Sequence, residues 1–252
     1  IETLVFGPKA FHSAESYVLS LFQLYPNVYF HKTTRAAEKL FTALLTHLIQ
    51  LVRDDAGDKT GLPSNHPMRR FAADPTSLSN TLALDDTVFW GALPMLAEAT
   101  DPRISACAEV LRARLLPKCI DIRRRVEERI SIKRGMSTED RAKREAEILL
   151  ACKEIYRKIE ELPEAKEAGK PRILLDETRR SPYKKQDSEG PLNQILIRQG
   201  ESNILDMANI SSVVAGAQSF EVCRVYAFPG DTQAQDAVEN IIRTKVEGMG
   251  NG

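Results

Sequence analysis

Tyr25-Pro26-Asn27-Val28-Tyr29-Phe30-His31-Lys32-Thr33-Thr34-Arg35 is the stretch that decides how this chain is read. Upstream, Ser13 precedes apolar residues at 14, 17, 18, 21, 22 and 25, the spacing of an amphipathic helix with a serine cap. Pro26 has no amide hydrogen and sits where that helix would continue, so a kink or a restart is expected there. The pattern resumes at Val28 and runs on through Leu40, Phe41, Leu44, Leu45, Leu48, Ile49 and Val52. Residues three and four apart share a helix face, so Tyr25, Tyr29 and Lys32 line up, with Val28, His31 and Arg35 beside them. Such an edge suits a phosphorylated, ring-bearing ligand. Lysine and arginine meet phosphate oxygens, and the tyrosines offer a stacking face and a hydroxyl. The same residues suit a plain helix interface with half-buried tyrosines and solvated cations. Spacing alone does not separate the two.

The bulk composition narrows the classes. A chain of 252 residues with 42% apolar and 28% charged side chains can bury a core as one large domain or two small ones. Thirty-five basic residues balance 35 acidic ones, so net charge gives no global reason to bind nucleic acid or an anionic membrane. The balance is local, however. Residues 112–185 hold 22 Lys and Arg against 14 Asp and Glu, which reads as an anion-facing surface or as a long solvated helix. The four cysteines, Cys107, Cys119, Cys152 and Cys223, form no Cys-x-x-Cys pair, and free thiols are expected. No apolar run approaches the ~18 residues of a membrane span, and no signal peptide is visible, so a cytoplasmic location is expected. The chain begins with Ile1, which a processed product, a trimmed form or a fragment would each explain.

Further along, Ile1 to Phe6 reads as a short strand and residues 58–79, rich in Gly, Pro, Ser, Asn and Asp, as a long loop. Asp85-Asp86 opens a helix, and Thr100-Asp101-Pro102 opens another that runs to Pro117. Thr138 to Glu161 is a charged helix with a thin apolar stripe. After Pro163 and Gly169-Lys170-Pro171 the texture changes. Arg172 to Asp176, Leu192 to Arg198 and Phe220 to Phe228 read as strands, and Asp231 caps a closing helix. The expected fold is mainly α with a C-terminal α+β portion: a helical part over 1–162 and a small mixed-sheet lobe over 170–252. Arg123-Arg124-Arg125 is basic, yet without interleaved aromatics it reads as a solvated face, and Ser181-Pro182-Tyr183-Lys184-Lys185 is a basic turn that reads as a phosphate contact or as a plain surface loop. P-loop, dinucleotide-fold and nucleophile-elbow motifs are absent.

The run Tyr29-Phe30-His31-Lys32-Thr33-Thr34-Arg35 resembles HD-domain phosphohydrolases related to the deoxynucleoside-triphosphate triphosphohydrolases, including the SAM-and-HD-domain enzyme of animals. Further similar segments follow in order. They are Leu82-Ala83-Leu84-Asp85-Asp86 with Trp90, Asp101-Pro102-Arg103-Ile104, and Arg112-Ala113-Arg114-Leu115-Leu116-Pro117-Lys118. Next come Lys170-Pro171-Arg172-Ile173-Leu174-Leu175-Asp176, Pro191-Leu192-Asn193-Gln194-Ile195-Leu196-Ile197 and Arg224-Val225-Tyr226. The resemblance implies the helical C-terminal half of an HD-superfamily hydrolase. It implies that Tyr29, with Tyr25 before it, walls a nucleotide substrate pocket. It implies that His31, Lys32, Arg114 and Lys118 face a dNTP-like or GTP-like effector at a subunit interface, hence a homo-oligomer.

The sequence also departs from that family. Its catalytic metal, a divalent or transition ion that activates water, is held by a His…His-Asp…Asp set. The four histidines here, His12, His31, His47 and His66, are never followed by aspartate, so no metal ligands are assigned to this chain. Leu21 stands where relatives often carry a phosphate-binding arginine, and Tyr25 replaces a histidine of the animal enzyme. Two functions stay open: part of a metal-dependent nucleotide phosphohydrolase, or a non-catalytic nucleotide-binding or oligomerisation module.

Overall fold

Short polar side chains set most of the helix starts. Asp85, Asp101, Asp121, Asp206, Ser211 and Asp231 each accept hydrogen bonds from backbone N–H groups that the first helical turn leaves unpaired. Ser137 and Asp140 do so reciprocally as a capping box. The computed structural model describes residues 4–130, 135–166, 169–183, 194–201, 203–217 and 219–249. In chain order the elements are β1 (Val5–Phe6), a 3-10 turn, α1 (Phe11–Leu24), a π-turn (Tyr25–Tyr29), α2 (Lys32–Arg53) and a second 3-10 turn (Gly57–Thr60). Then come α3 (Pro67–Ala73), α4 (Leu78–Leu82), α5 (Asp86–Ala97), α6 (Pro102–Ala113), β2 (Lys118–Asp121), α7 (Ile122–Arg129), α8 (Thr138–Glu160) and α9 (Pro163–Lys166). The rest is β3 (Ile173–Arg180), β4 (Leu196–Gln199), β5 (Asn203–Asp206), α10 (Met207–Ile210), α11 (Ser212–Gly216), β6 (Phe220–Ala227) and α12 (Thr232–Gly248). The fold is thus mainly α with an α+β portion, as the sequence pattern implies.

The chain divides into two compact units, each made of two separated segments. The first holds Ile1–Thr34 and Glu177–Val222, the second Arg35–Asp176 and Cys223–Gly252. The change of texture near Pro163 and Pro171 falls inside the second unit. In the first unit β4 pairs in parallel with β1 and antiparallel with β5, Leu196 facing Asp206 and Gln199 facing Asn203. Val18 of α1 packs with Tyr183, Met207 and Val214.

The second unit carries two larger cores. In the first, α2 buries Ala36, Leu40, Leu44, Leu48 and Leu51, one residue per turn, against α3, α5 and α6. Each leucine so buried contributes about 1.5–3 kcal/mol. Gly61, at φ 77, lies so close to α5 that a Cβ there would strike the carbonyl oxygen of Met95. The second core packs α7, α8 and α12 around a sheet of order β2-β6-β3, with Cys119 opposite Tyr226 and Asp121 opposite Arg224.

Four expectations need correction. Ser13 does not cap α1, which already begins at Phe11 because the 3-10 turn of Pro8–Ala10 runs straight into it. Residues 58–79 are not one loop: His66 caps α3, Ser77 caps α4, and Met68 and Ala72 are buried. The helix expected to run to Pro117 stops at Ala113, and Arg114 closes it in the left-handed conformation at φ 56. Tyr183, read with its neighbours as surface, is buried, and its hydroxyl donates to Asp206 Oδ1 at 2.8 Å. The solvated reading of Arg123-Arg124-Arg125 holds for Arg124 and Arg125, exposed on α7 and paired with Glu128 and Glu239, while Arg123 is half-buried between Glu127 and Glu145. Lys184, Lys185, Ile1 and 191–193 lie outside the described residues.

Candidate functional site

Pro26 shapes the central stretch. It cannot donate to the carbonyl one turn back, and the chain widens there into a π-turn in which the Phe30 N–H donates to Tyr25 O at 2.7 Å. The Asn27 side chain donates to Gln23 O at 2.9 Å. The turn ends at Phe30, and α2 restarts at Lys32. The expected kink is present, but the two helices do not share one continuous face.

The turn sorts its residues by side. Phe30 is buried, stacked at 5.7 Å on Tyr25, and both rings meet Phe220 of β6, which also contacts Phe22 at 4.7 Å. Tyr25 is half-buried in this cluster and lies 5.5 Å from Tyr29. Tyr29 itself is 53% exposed, and His31 and Lys32 are exposed beside it in sequence. His31 Nδ1 accepts the Thr33 N–H at 3.3 Å, so a neutral imidazole carries its proton on Nε2. The arrangement is an aromatic cluster followed in sequence by an exposed tyrosine ring, an exposed imidazole and an exposed ammonium. It can stack on a ring and attract phosphate. Phe30 and Phe220 were not marked by the sequence as part of this cluster. Phe220 lies 190 positions beyond Phe30, and no periodicity links them.

Arg35 departs from the expected phosphate-facing edge. It is 7% exposed, and Asp176, which is fully buried, accepts from both its Nε, at 3.0 Å, and its Nη2. Lys39 reaches the same carboxylate at 3.3 Å, and Glu38 takes Arg35 Nη1 at 2.7 Å. Burial pushes the Asp176 carboxyl up. The hydrogen bonds and charges of Arg35 and Lys39 outweigh that and hold it below the ordinary aspartate range. A guanidinium already engaged in this way is a structural group, not a phosphate clamp.

Arg114 and Lys118 lie in the second unit and are both exposed. They do not share a helix face. Arg114 is the left-handed cap of α6, and Lys118 opens β2 and donates to Gln235 Oε1 at 3.4 Å. Their four-residue spacing therefore gives no common direction.

His47 and His66 are engaged in local structure, and His12 is exposed beside Phe11. His47 Nε2 lies 3.1 Å from both carboxylate oxygens of Asp101, which also caps α6. His66 Nδ1 accepts the Met68 N–H as the cap of α3, and burial lowers its pKa. The four cysteines form no disulfide, and burial pushes the Cys107 thiol up to about 12. Among the described residues no three His, Cys, Asp or Glu side chains are grouped so as to hold a metal ion, and the donor set does not fit the family's ion. No described helix is long and apolar enough to cross a membrane.

Residues 2–60 match the family model of the HD associated region, a span that contains the whole Tyr25–Arg35 stretch. Among solved structures the chain is similar to a phosphohydrolase from Bacteroides thetaiotaomicron. The identity is 19% and the TM-score 0.54, over 88% of this chain and 51% of that one. It is also similar to a hypothetical protein from Aquifex aeolicus, at 18% identity and a TM-score of 0.56, over 94% of this chain and 47% of that one. The chain therefore spans about half the length of these structures, and at such identity the likeness is one of fold. No curated protein matches it. The HD-associated segment and the shared fold bear out the resemblance to HD-domain phosphohydrolases.

Proposed function

We propose that this chain supplies the nucleotide-facing portion of a metal-dependent HD-family phosphohydrolase that acts in the cytoplasm on deoxynucleoside triphosphates or related nucleotides. The observation that carries it is the turn at Tyr25–Tyr29. Within a segment that matches the HD associated region, Tyr29 and the following His31 and Lys32 are exposed to solvent next to an aromatic cluster that buries Phe30. Tyr29 stacks on the base or sugar, Lys32 meets a phosphate, and the His31 Nε2–H donates to a neighbouring oxygen. Arg114 and Lys118, exposed in the second unit, serve a dNTP-like or GTP-like effector, and the protein assembles as a homo-oligomer. The metal, when bound in the longer protein, supplies an activated water for attack on phosphorus.

Calorimetric titration with dGTP and GTP tests this. Saturable binding that weakens at least tenfold in Tyr29→Ala and in Lys32→Ala supports the reading, and binding indifferent to both substitutions overturns it. Phosphate release from dGTP with Mn2+ is expected to be absent for this chain by itself. Clear turnover would show that the chain holds a catalytic metal site of its own. A second reading, nucleotide binding or assembly without hydrolysis, draws support from Leu21. This half-buried side chain on α1 offers no cation at the place where relatives often carry arginine.

A further inference from the structure

The second unit contains a groove between α7 and α12 that the reading above does not use. Its volume is about 420 Å³, within the ~300–1,000 Å³ of small-molecule sites. Ile242, buried, and Val246, half-buried, give it an apolar floor. Its rims are charged, and half of its six charged residues are already paired. Arg125 Nη2 donates to Glu239 Oε1 across the groove at 3.2 Å, and Glu128 takes Arg124 at 2.9 Å. Two guanidiniums are left, Arg129 on the α7 side and Arg243 on the α12 side. Among the described residues neither has a carboxylate within ion-pairing distance, and Arg243 donates only to its neighbour Asn240 at 2.9 Å. Glu247 is the one acid of the groove that no described cation holds.

From this we infer that the α7/α12 groove binds a phosphorylated, ring-bearing small molecule: Arg129 and Arg243 take the phosphate from opposite walls while the ring lies on Ile242 and Val246. Guanidinium forks match phosphate oxygens two at a time, and an anion between the two walls relieves their mutual repulsion. The apolar floor adds affinity that a bare ion cannot use. Glu247 accepts from a hydroxyl or amino group of the ring portion and disfavours ligands without one. The chemistry is independent of the turn at Tyr25–Tyr29, whose residues belong to the other unit.

Adenosine monophosphate and inorganic phosphate are the probes, titrated into the chain by calorimetry or by ligand-observed NMR. The nucleotide is expected to bind saturably and at least tenfold more tightly than phosphate. Binding should weaken about tenfold in Arg129→Gln and in Arg243→Gln, more than either alone in the double variant, and steeply with added salt. Val246→Trp, which fills the floor, should abolish nucleotide binding while phosphate binding persists. These titrations are run in a Tyr29→Ala, Lys32→Ala background, which removes nucleotide binding at the first site, so that a failure here is separated from a failure there. No saturable binding in that background, or binding that survives the double arginine substitution, overturns the inference. Equal affinity for phosphate and nucleotide also overturns it, since the floor would then contribute nothing.

Discussion

Lys32 and Arg35 stand one turn apart on α2, carry the same charge and have opposite fates. Lys32 is exposed at the start of the helix, while Arg35 is buried with Asp176, Lys39 and Glu38 around it. Sequence spacing put both on a ligand-facing edge. What separates them is a carboxylate 141 residues away in β3. A buried carboxylate and guanidinium satisfy each other only where the geometry allows two parallel bonds, and that geometry leaves Arg35 little to offer a ligand. The exposed lysine keeps its donors for whatever arrives.

The contrast predicts a graded set of outcomes. Asp176→Asn leaves Arg35 buried without its counter-charge and should cost about 3–5 kcal/mol in denaturant unfolding, the largest effect expected of these substitutions. A loss no larger than that of a surface change would show that the pair is not structural. Acid acts on the same group. The folded-state pKa of Asp176 is depressed, so its stabilising contribution is fully present above the unfolded value of about 3.9 and is lost as pH falls through the lower folded value. Unfolding midpoints measured from pH 5 downward should therefore fall less steeply in Asp176→Asn than in the wild type.

Asp101→Ala removes the cap of α6 and the partner of His47 together, and should cost about 1–2 kcal/mol by thermal or chemical unfolding. Arg114→Gly relieves a side chain held at φ 56 and should stabilise the protein, by an amount on the order of 1 kcal/mol. It should lower affinity for a nucleotide effector if Arg114 contacts one. Lys32→Ala comes last. It should leave the unfolding midpoint unchanged and show itself only in nucleotide titrations.

Much of the fold was legible because it is written locally. Asp85, Asp101 and Asp231 announce their helices by residue type alone, since a short carboxylate next to an apolar-periodic run satisfies the free N–H groups of the first turn. The leucines of α2 repeat at the helical period and are buried as a row. The short helices α3 and α4 were hidden by their Gly-, Pro- and Ser-rich surroundings, although Met68 and Ala72, four apart, carried a signal. α7 was masked by arginines whose glutamate partners lie partly in α8 and α12, and β2 by its four-residue length and by a pairing partner, β6, too far along the chain for any window to see. Of the candidate site, Tyr29, His31 and Lys32 were legible as residues of one stretch. The contact of buried Phe30 with Phe220, the end of α6 at Arg114 before Lys118 and the engagement of Arg35 were not.

By itself the sequence determined where helices begin, which faces are apolar, that Pro26 interrupts the first helix, and that residues 2–60 match the HD associated region. Tertiary structure alone decided which cations are spent and which are available. Capping and periodicity are governed by neighbours within one or two turns, whereas an ion pair or an aromatic cluster depends on partners that only folding brings together.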